Sequence, residues 1–255
     1  MTASLKVWRE ADGRLLRLRL NQPNANLIDA TMIAALDREL ADGFEIPGLG
    51  GVLIDAAGPH FSYGASVEEH LPDQCRVMLA SIHGLILRMV EAPVTILVAV
   101  RGQCLGGGLE VALAGHLLFV TPDAKLGQPE MKLGVFAPAA SCLLPELVGQ
   151  GRALDLLLSG RTISGADAAA IGMAHAAAAD PEAAALAYFD ENLKPKSASS
   201  LRYAVKAARC DYAARIRAKI ELLERLYLDE LMKTHDAIEG LQAFVAKRAA
   251  QWQHR

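Results

Sequence analysis

The stretch Arg101-Gly-Gln-Cys-Leu-Gly-Gly-Gly-Leu-Glu110 decides which fold this chain adopts. A β-branched apolar run over 94–100 precedes it, between Pro93 and Gly102, and indicates a short buried strand. A helical pattern follows over 109–118. The three consecutive glycines between them let the backbone approach a ligand and leave unpaired N–H groups at the start of the helix. The stretch therefore predicts a strand–turn–helix unit whose turn can bind an oxyanion.

Two common phosphate-binding motifs are not completed in this glycine turn. From Gly102 the P-loop spacing reaches Gly107, but Gly108 stands where that motif requires a lysine. The dinucleotide-binding pattern G-x-G-x-x-G is not formed either. Glu110 lies three residues past Gly107, within reach of whatever binds at the turn. From these residues alone, the turn is either an active site or a tightly packed connection between strand and helix.

The composition is typical of a globular protein from a reducing compartment. A chain of 255 residues can bury the core of one large domain, or of one domain with a small appendage. The net charge of −3 gives no overall indication of nucleic-acid binding. The four cysteines are scattered without a C-x-x-C pair, which disfavours disulfides and zinc. The charged N-terminal segment does not resemble a signal peptide, and no apolar run approaches the roughly 20 residues of a membrane helix. The sequence predicts a soluble, cytoplasmic protein.

Strand and helix patterns alternate through the first two-thirds of the chain, and helical patterns alone fill the last third. The strands are predicted at 5–8, 15–20, 51–56, 94–100 and 117–120, and the helices at 31–44, 76–90, 143–148, 153–158, from 164 and from 199 to the end. Arg17 and Arg19 alternate with leucines in the second strand, which predicts one solvated face. A shift of composition near Pro195 predicts an α/β core domain over 1–195 and a C-terminal helical region over 196–255. The exposed faces of so long a helical region predict an oligomer.

Five motifs, in order along nearly the whole chain, resemble the crotonase (enoyl-CoA hydratase) superfamily. They are Phe61–Ala65, Leu105–Glu110, Gly127–Glu130, Ser159–Ala168 with Gly172, and Glu239–Phe244 with Lys247 and Arg248. The resemblance implies an α/β spiral of repeated ββα units with a C-terminal helical region for trimerisation. It also implies a coenzyme A thioester as ligand, and a trimer or a dimer of trimers as the assembly.

The resemblance assigns catalytic roles to four residues. It places two backbone amides that bind the thioester oxygen at Ala65 and Gly107, and two catalytic carboxyls at Glu110 and Glu130. Such amides stabilise the enolate-like charge that forms when water attacks the β-carbon. Two carboxyls can hold the water between them, with one taking a proton and the other supplying a proton to carbon. Members that keep both glutamates add or remove water, so the expected activity is that of a hydratase. Which glutamate is the base stays open.

A further set of residues is expected to contact the substrate. By the resemblance, the first loop and the C-terminal signature meet coenzyme A, and the remaining members line the acyl pocket. The set consists of Asn24, Ala25, Asn26, Tyr63, Gly64, Ser66, Gly106, Phe136, Phe244 and Lys247. Phe244 and Lys247 are expected to reach the pocket of a neighbouring subunit. No metal and no separate cofactor are expected, since coenzyme A is part of the substrate.

Two departures from the family pattern bear on the substrate. Ser66 stands where an acidic residue is common, and residues 137–140 replace a glycine-rich segment. The segments 61–72 and 136–140 are most similar to members that hydrate a conjugated cyclic dienoyl-CoA thioester in anaerobic aromatic degradation. Two alternatives stay open. One is hydration of an ordinary 2-enoyl-CoA, as in fatty-acid β-oxidation, and the other is an RNA-binding or scaffolding role, for which the basic helical stretch 206–219 is the only support.

Overall fold

The computed structural model describes residues 4–23 and 25–255. The strands are β1 (Leu5–Glu10), β2 (Leu15–Leu20), β3 (Gly51–Ala56), β4 (Thr95–Val100), β5 (Gln103–Leu105), β6 (Leu117–Val120), β7 (Lys125–Gly127), β8 (Thr162–Ser164) and β9 (Ala176–Ala177). The helices are α1 (Ala30–Phe44), α2 (Cys75–Val90), α3 (Gly107–Ala114), α4 (Pro138–Val148), α5 (Gln150–Ser159), α6 (Gly165–Ala170), α7 (Pro181–Tyr188), α8 (Ala198–Arg225) and α9 (His235–Val245). Among these described helices, none combines the length and apolarity needed to cross a membrane.

Two sheets organise the chain. The larger has the strand order β1-β2-β3-β4-β6-β9, with β1 and β2 antiparallel and the remaining neighbours parallel. The smaller has the order β5-β7-β8, with a parallel and an antiparallel pair. Because β4 belongs to the larger sheet and β5 to the smaller, the chain changes sheets immediately before the three glycines.

The larger sheet is covered on both faces, which explains its apolar strands. Every residue of β4 is buried, as expected for a parallel strand between two layers. Ile96 and Val98 face the main apolar cluster with helices α1 to α4, whereas Leu97 packs with Phe189 on the opposite face. Ile216 of α8 is also buried in the main cluster, so the C-terminal helices share the core of the preceding residues. The domain boundary near residue 195 stays a prediction.

The prediction that β2 has a solvated face is wrong. Arg17 is only 1% exposed. Its guanidinium contacts the carboxylates of Glu10, Asp55 and Glu182. Because α7 carries Glu182 back over this face of the sheet, the arginine is buried among three acidic partners. A buried charge needs such partners, so here the alternation of arginine and leucine marks an ion-pair network beneath a helix.

Two of the predicted helical regions extend too far towards the C-terminus. α3 covers Gly107–Ala114 rather than 109–118, because the residues that follow Gly115 pair with β4 as strand β6. The C-terminal region is not helical to its end, since α9 stops at Val245 and residues 246–255 form no further helix. α3 is therefore a short helix, and its first turn is the part that contributes residues to the site.

Candidate active site

The turn between β4 and α3 has two positions that only glycine fits without strain. Gly102 has φ +59°, and Gly106 has φ +50°. A β-carbon on Gly102 would lie 2.2 Å from the carbonyl oxygen of Pro59, and one on Gly106 would lie 2.8 Å from a carboxyl oxygen of Glu130. The left-handed backbone and these close approaches together require glycine. The glycine turn therefore passes close to the carboxyl group of Glu130.

The two amides assigned to the thioester oxygen lie side by side. A β-carbon on Gly107 would be 3.2 Å from the backbone nitrogen of Ala65. Gly107 is the first residue of α3, so its N–H has no acceptor within the helix. The Ala65 N–H has no backbone acceptor among the described residues either. Two free N–H groups on the wall of one cavity form a site for an oxygen that gains negative charge.

The loop that carries Ala65 is fixed to the glycine turn by hydrogen bonds. The Leu105 N–H donates to the carbonyl oxygen of Ser62 at 3.1 Å. The hydroxyl of Ser62 accepts the Gly64 N–H at 3.1 Å, and the Gly64 carbonyl accepts the Ile28 N–H at 3.0 Å. These bonds surround the Ala65 amide and hold its direction before any ligand binds, which is the preorganisation that an oxyanion site needs.

Both glutamates line one cavity of about 400 Å³ beside these amides. Glu110 lies in the first turn of α3 and is 5% exposed. Glu130 lies in the 3₁₀ turn Pro129–Leu133, directly after β7. The charge of Glu110 raises the pKa of Glu130, an influence that operates only between neighbouring groups. The cavity thus brings together the two backbone amides and the two acidic groups that the motifs named, and their catalytic roles stay a prediction.

The start of α4 stabilises the ionised form of Glu110. One carboxyl oxygen accepts the Ala140 N–H at 2.8 Å, and α4 directs the positive end of its dipole at this carboxylate. Burial raises the pKa of Glu110, whereas the Ala140 N–H, the charge of His83 and the Ala139 N–H act against burial. The net effect is a raised pKa, and these three interactions are what favours the ionised form of Glu110.

Glu130 is the carboxyl that keeps its proton. Burial, followed by the charge of Glu110, raises the pKa of Glu130 to about 8, and its own backbone N–H opposes this rise. Gln128 is 1% exposed, and one terminal atom of its side-chain amide lies 3.0 Å from both carboxyl oxygens of Glu130, where the amide oxygen can accept the proton of the neutral carboxyl. The charge of Glu110 is among the causes that raise the pKa of Glu130, whereas Glu130 is not among those that shift the pKa of Glu110, so within this coupled pair we assign the proton to Glu130. Sequence reasoning missed Gln128, although it lies inside a quoted motif.

Most residues expected at the site do line this cavity. They are Tyr63, Gly64, Ala65, Gly106, Gly107, Glu110, Glu130, Phe136 and Phe244. Phe244 reaches the cavity of its own chain, and its implied contact with a neighbouring subunit stays a prediction. The lining also includes residues that were not predicted, among them Met78, Leu79, Ile82, Val135 and Lys132. The spacing of α2 indicated an amphipathic helix, but not which of its apolar residues face the site.

The first loop lies apart from the cavity. Ala25 and Asn26 line a separate surface pocket of about 360 Å³. The Asn26 side chain donates to the carbonyl oxygens of Ala57 and His60 at 3.1 Å each, so it shapes the loop. Asn24 lies outside the described residues. A contact between this loop and the nucleotide part of coenzyme A stays a prediction.

Ser66 and Lys247 are also absent from the cavity wall. The Ser66 carbonyl oxygen lies 2.7 Å from Nδ1 of His70, and a carbonyl can only accept, so Nδ1 donates. The serine hydroxyl takes no part in this contact, so Ser66 and His70 do not form a nucleophile–base pair here. Burial lowers the pKa of His70, so its imidazole is neutral. Lys247 follows the end of α9 and has φ +52°.

Much of the basic face of α8 is engaged inside the chain. Arg215 contacts Glu146 at 2.9 Å, and Arg217 lies 2.6 Å from Glu91. Lys219 donates to a backbone carbonyl of α4 at 2.7 Å. These contacts give the basic residues structural partners, so the stretch that suggested nucleic-acid binding has another explanation.

Comparisons with known proteins point to the same chemistry. The model of a family described as enoyl-CoA hydratase/isomerase matches residues 10–255. A cyclohexa-1,5-dienecarbonyl-CoA hydratase of Thauera aromatica is 62% identical over 254 residues, covering 100% of this chain and 98% of the relative. A probable enoyl-CoA hydratase of Bacillus subtilis is 32% identical over 92% of this chain and 93% of the relative. Among solved structures, an enoyl-CoA hydratase/isomerase from Pseudoalteromonas atlantica T6c has a TM-score of 0.85 at 26% identity, covering 98% of this chain and 99% of that chain.

Proposed function

The chain belongs to the enoyl-CoA hydratase/isomerase family, and from this premise we propose that it hydrates cyclohexa-1,5-diene-1-carbonyl-CoA to 6-hydroxycyclohex-1-ene-1-carbonyl-CoA. The observation that carries the proposal is the 62% identity, along the whole chain, to a hydratase named for this thioester. The reaction serves anaerobic degradation of aromatic compounds through benzoyl-CoA. The crotonase fold predicted from the five motifs is confirmed by the family match and by the solved structures.

In this proposal the thioester oxygen binds between two backbone amides. The N–H groups of Ala65 and Gly107 donate to it while negative charge develops during attack of water on the β-carbon. Removing one preorganised donor of this kind costs about 3 kcal/mol of transition-state stabilisation in other enzymes. The amides belong to the backbone and are held by the loop and the helix start, so they need no side-chain ordering when the substrate binds.

The two glutamates then divide the proton transfers. Ionised Glu110 takes a proton from water, the oxygen of that water bonds to the β-carbon, and the electron pair of the first alkene enters a dienolate. The protonated carboxyl of Glu130 gives its proton to the far carbon of the second alkene, and the remaining double bond forms between the two former alkenes. The two reacting carbons lie opposite each other across the ring. The proton on Glu110 must return to Glu130 before the next turnover.

The cavity wall suits a flat hydrocarbon ring. Met78, Ile82 and Phe136 supply apolar surface beside the carboxyls. Tyr63 is 44% exposed and contacts the imidazole of His60 edge-on, with ring centroids 5.1 Å apart. Apolar walls with a few convergent polar groups are the usual make-up of a small-molecule site.

A panel of acyl-CoA thioesters tests the proposal when each is scored by mass for gain of one water. The reactions contain a chelator and no added cofactor, because two amides and two carboxyls supply all the chemistry in this account. We expect the cyclic dienoyl thioester to be hydrated with a kcat/KM at least about 10-fold above that of crotonyl-CoA, since pocket shape discriminates by such factors. A preference for crotonyl-CoA favours the alternative 2-enoyl-CoA hydratase and contradicts the cyclic substrate. A requirement for added metal contradicts the cofactor-free chemistry.

We also propose a homo-oligomer, as a trimer or a dimer of trimers. Large apolar residues of the C-terminal helices are exposed, with Tyr203 74%, Leu222 55% and Phe244 55% accessible. Exposed apolar surface of this kind is typical of protein–protein contacts. Light scattering at micromolar concentration is expected to give three or six chain masses, and a stable monomer would contradict the proposal.

A further inference from the structure

One buried hydroxyl beside the cavity has no role in the mechanism described so far. Tyr227 lies in the turn Leu226–Glu230, which continues α8, and it is 1% exposed. Its hydroxyl oxygen has no hydrogen-bond partner among residues 4–23 and 25–255. Buried hydroxyls normally have a partner, because desolvation without a compensating hydrogen bond is unfavourable. A native hydroxyl in this condition calls for a functional explanation.

The Tyr227 ring packs against the wall of the cavity through Phe136. The rings of Tyr227 and Phe136 meet edge-on with centroids 5.3 Å apart, and Phe136 lines the cavity. Burial, followed by the charges of Cys75, Glu130 and Glu110, raises the pKa of Tyr227. These three titratable groups come from α2, the 129–133 turn and α3, and each lies near enough to act on the pKa of the hydroxyl. The hydroxyl is therefore a neutral donor in reach of the field of both catalytic carboxyls.

During turnover, the carboxyl group of Glu130 comes to need a hydrogen-bond donor. Glu110 begins ionised, and the Ala140 N–H stabilises its charge. Glu130 begins protonated and becomes a buried carboxylate only when it gives its proton to the ring. An interaction that forms at that moment accelerates the step, because it is stronger in the transition state than in the ground state. A hydroxyl with no partner in the free enzyme matches this requirement.

We propose that Tyr227 is a positioning residue of the hydratase, and that its hydroxyl donates a hydrogen bond to the Glu130 carboxylate as Glu130 passes its proton to the ring. This inference rests on the proposed function. Hydrogen bonds used in catalysis are often long in a free enzyme and shorten when substrate binds. Helix α8, which this turn continues, also carries Glu224. Glu224 lies 2.8 Å from Nδ1 of His83, and the charge of His83 lowers the pKa of Glu110.

The test is Tyr227→Phe, which keeps the ring against Phe136 and removes only the hydroxyl. We expect kcat for the cyclic dienoyl thioester to fall about 10- to 100-fold with KM within about 2-fold, the range of a hydrogen bond to a charged group. Without its donor the Glu130 carboxylate is less stable, so the alkaline limb of the kcat/KM profile should move to higher pH. The melting temperature should stay equal or rise, because an unpaired buried hydroxyl has been removed.

Tyr212→Phe is the matched control. Tyr212 is also largely covered in α8, stacks with Arg209 at 4.7 Å, and neither Glu110 nor Glu130 is among the groups that shift its pKa. This variant should keep the wild-type kcat and pH profile.

Three results overturn the inference. A Tyr227→Phe enzyme with kcat within 2-fold of wild type removes the proposed role. A fall in kcat with an unmoved alkaline limb, or with a lower melting temperature, assigns the hydroxyl a structural role instead. A wild-type enzyme that prefers another thioester overturns only the proposed substrate, because the same comparison made with that thioester still decides the role of Tyr227.

Discussion

Replacement of Glu110 by glutamine is expected to lower kcat for the cyclic dienoyl thioester by about 1,000- to 10,000-fold, the contribution of a general base. Glutamine keeps the size of the side chain, and its carbonyl oxygen can still accept the Ala140 N–H that the carboxylate accepts at 2.8 Å. It cannot take a proton from water. We therefore expect KM to change little, because in the proposed mechanism the thioester oxygen is bound by the amides of Ala65 and Gly107. Steady-state kinetics with the cyclic dienoyl thioester measure both constants.

Glu146→Gln is the control for this prediction. Glu146 is a glutamate of α4 that pairs with Arg215 at 2.9 Å and has an accessible side chain, and it has no part in the cavity. Circular dichroism should show native spectra for both variants, and the control should retain wild-type kcat. Turnover of Glu110→Gln within 10-fold of wild type would exclude Glu110 as the base.

Replacement of Glu130 by glutamine is expected to lower kcat by at least about 100- to 1,000-fold, because the ring carbon then receives no proton from this position. The wild-type profile of kcat/KM should fall above about pH 8, where the raised pKa lets Glu130 lose its proton. Since glutamine does not ionise in this range, the residual activity of the variant should lack this alkaline limb. The pH dependence of kcat/KM for the two proteins gives the comparison.

Replacement of Glu130 by glutamine is expected to lower activity but to raise thermal stability at alkaline pH. A carboxyl whose folded pKa is raised from 4.5 to about 8 favours folding fully below pH 4.5, and this contribution is lost as pH rises through about 8. At pH 9 the folded wild type holds a buried carboxylate beside Glu110, whereas the glutamine variant does not. The variant should therefore melt at a higher temperature than wild type at pH 9. A variant that retains the alkaline limb and melts below wild type at pH 9 would show that another group titrates.

The central elements of the site could be predicted from the sequence because their requirements are local. The left-handed backbone at Gly106 demands glycine at that position, and a helix that starts at Gly107 presents its first N–H groups whatever its partners are. Glu110 follows within the same helical turn. A single short motif therefore predicts the proposed oxyanion site together with one carboxyl, Glu110. The motif around Glu130 predicts the second carboxyl.

The residues that tune the carboxyls could not be predicted, because distant segments bring them together. His83 acts on Glu110 from α2, and Tyr227, the proposed partner of Glu130, lies in the turn that continues α8. Nothing in the spacing of either residue marks it, since each occupies an ordinary apolar position of its helix. Arg17 shows the same limit in the sheet, because alternation along one strand cannot show that a later helix covers it.

The structure of the enzyme with bound 6-hydroxycyclohex-1-ene-1-carbonyl-CoA tests the central claim most directly. The proposed mechanism predicts that the thioester oxygen lies about 2.7–3.1 Å from the backbone nitrogens of both Ala65 and Gly107. It also predicts that the new hydroxyl group lies within hydrogen-bond distance of the carboxyls of both Glu110 and Glu130. A thioester oxygen bound away from these two amides, or a hydroxyl that contacts neither glutamate, would contradict it.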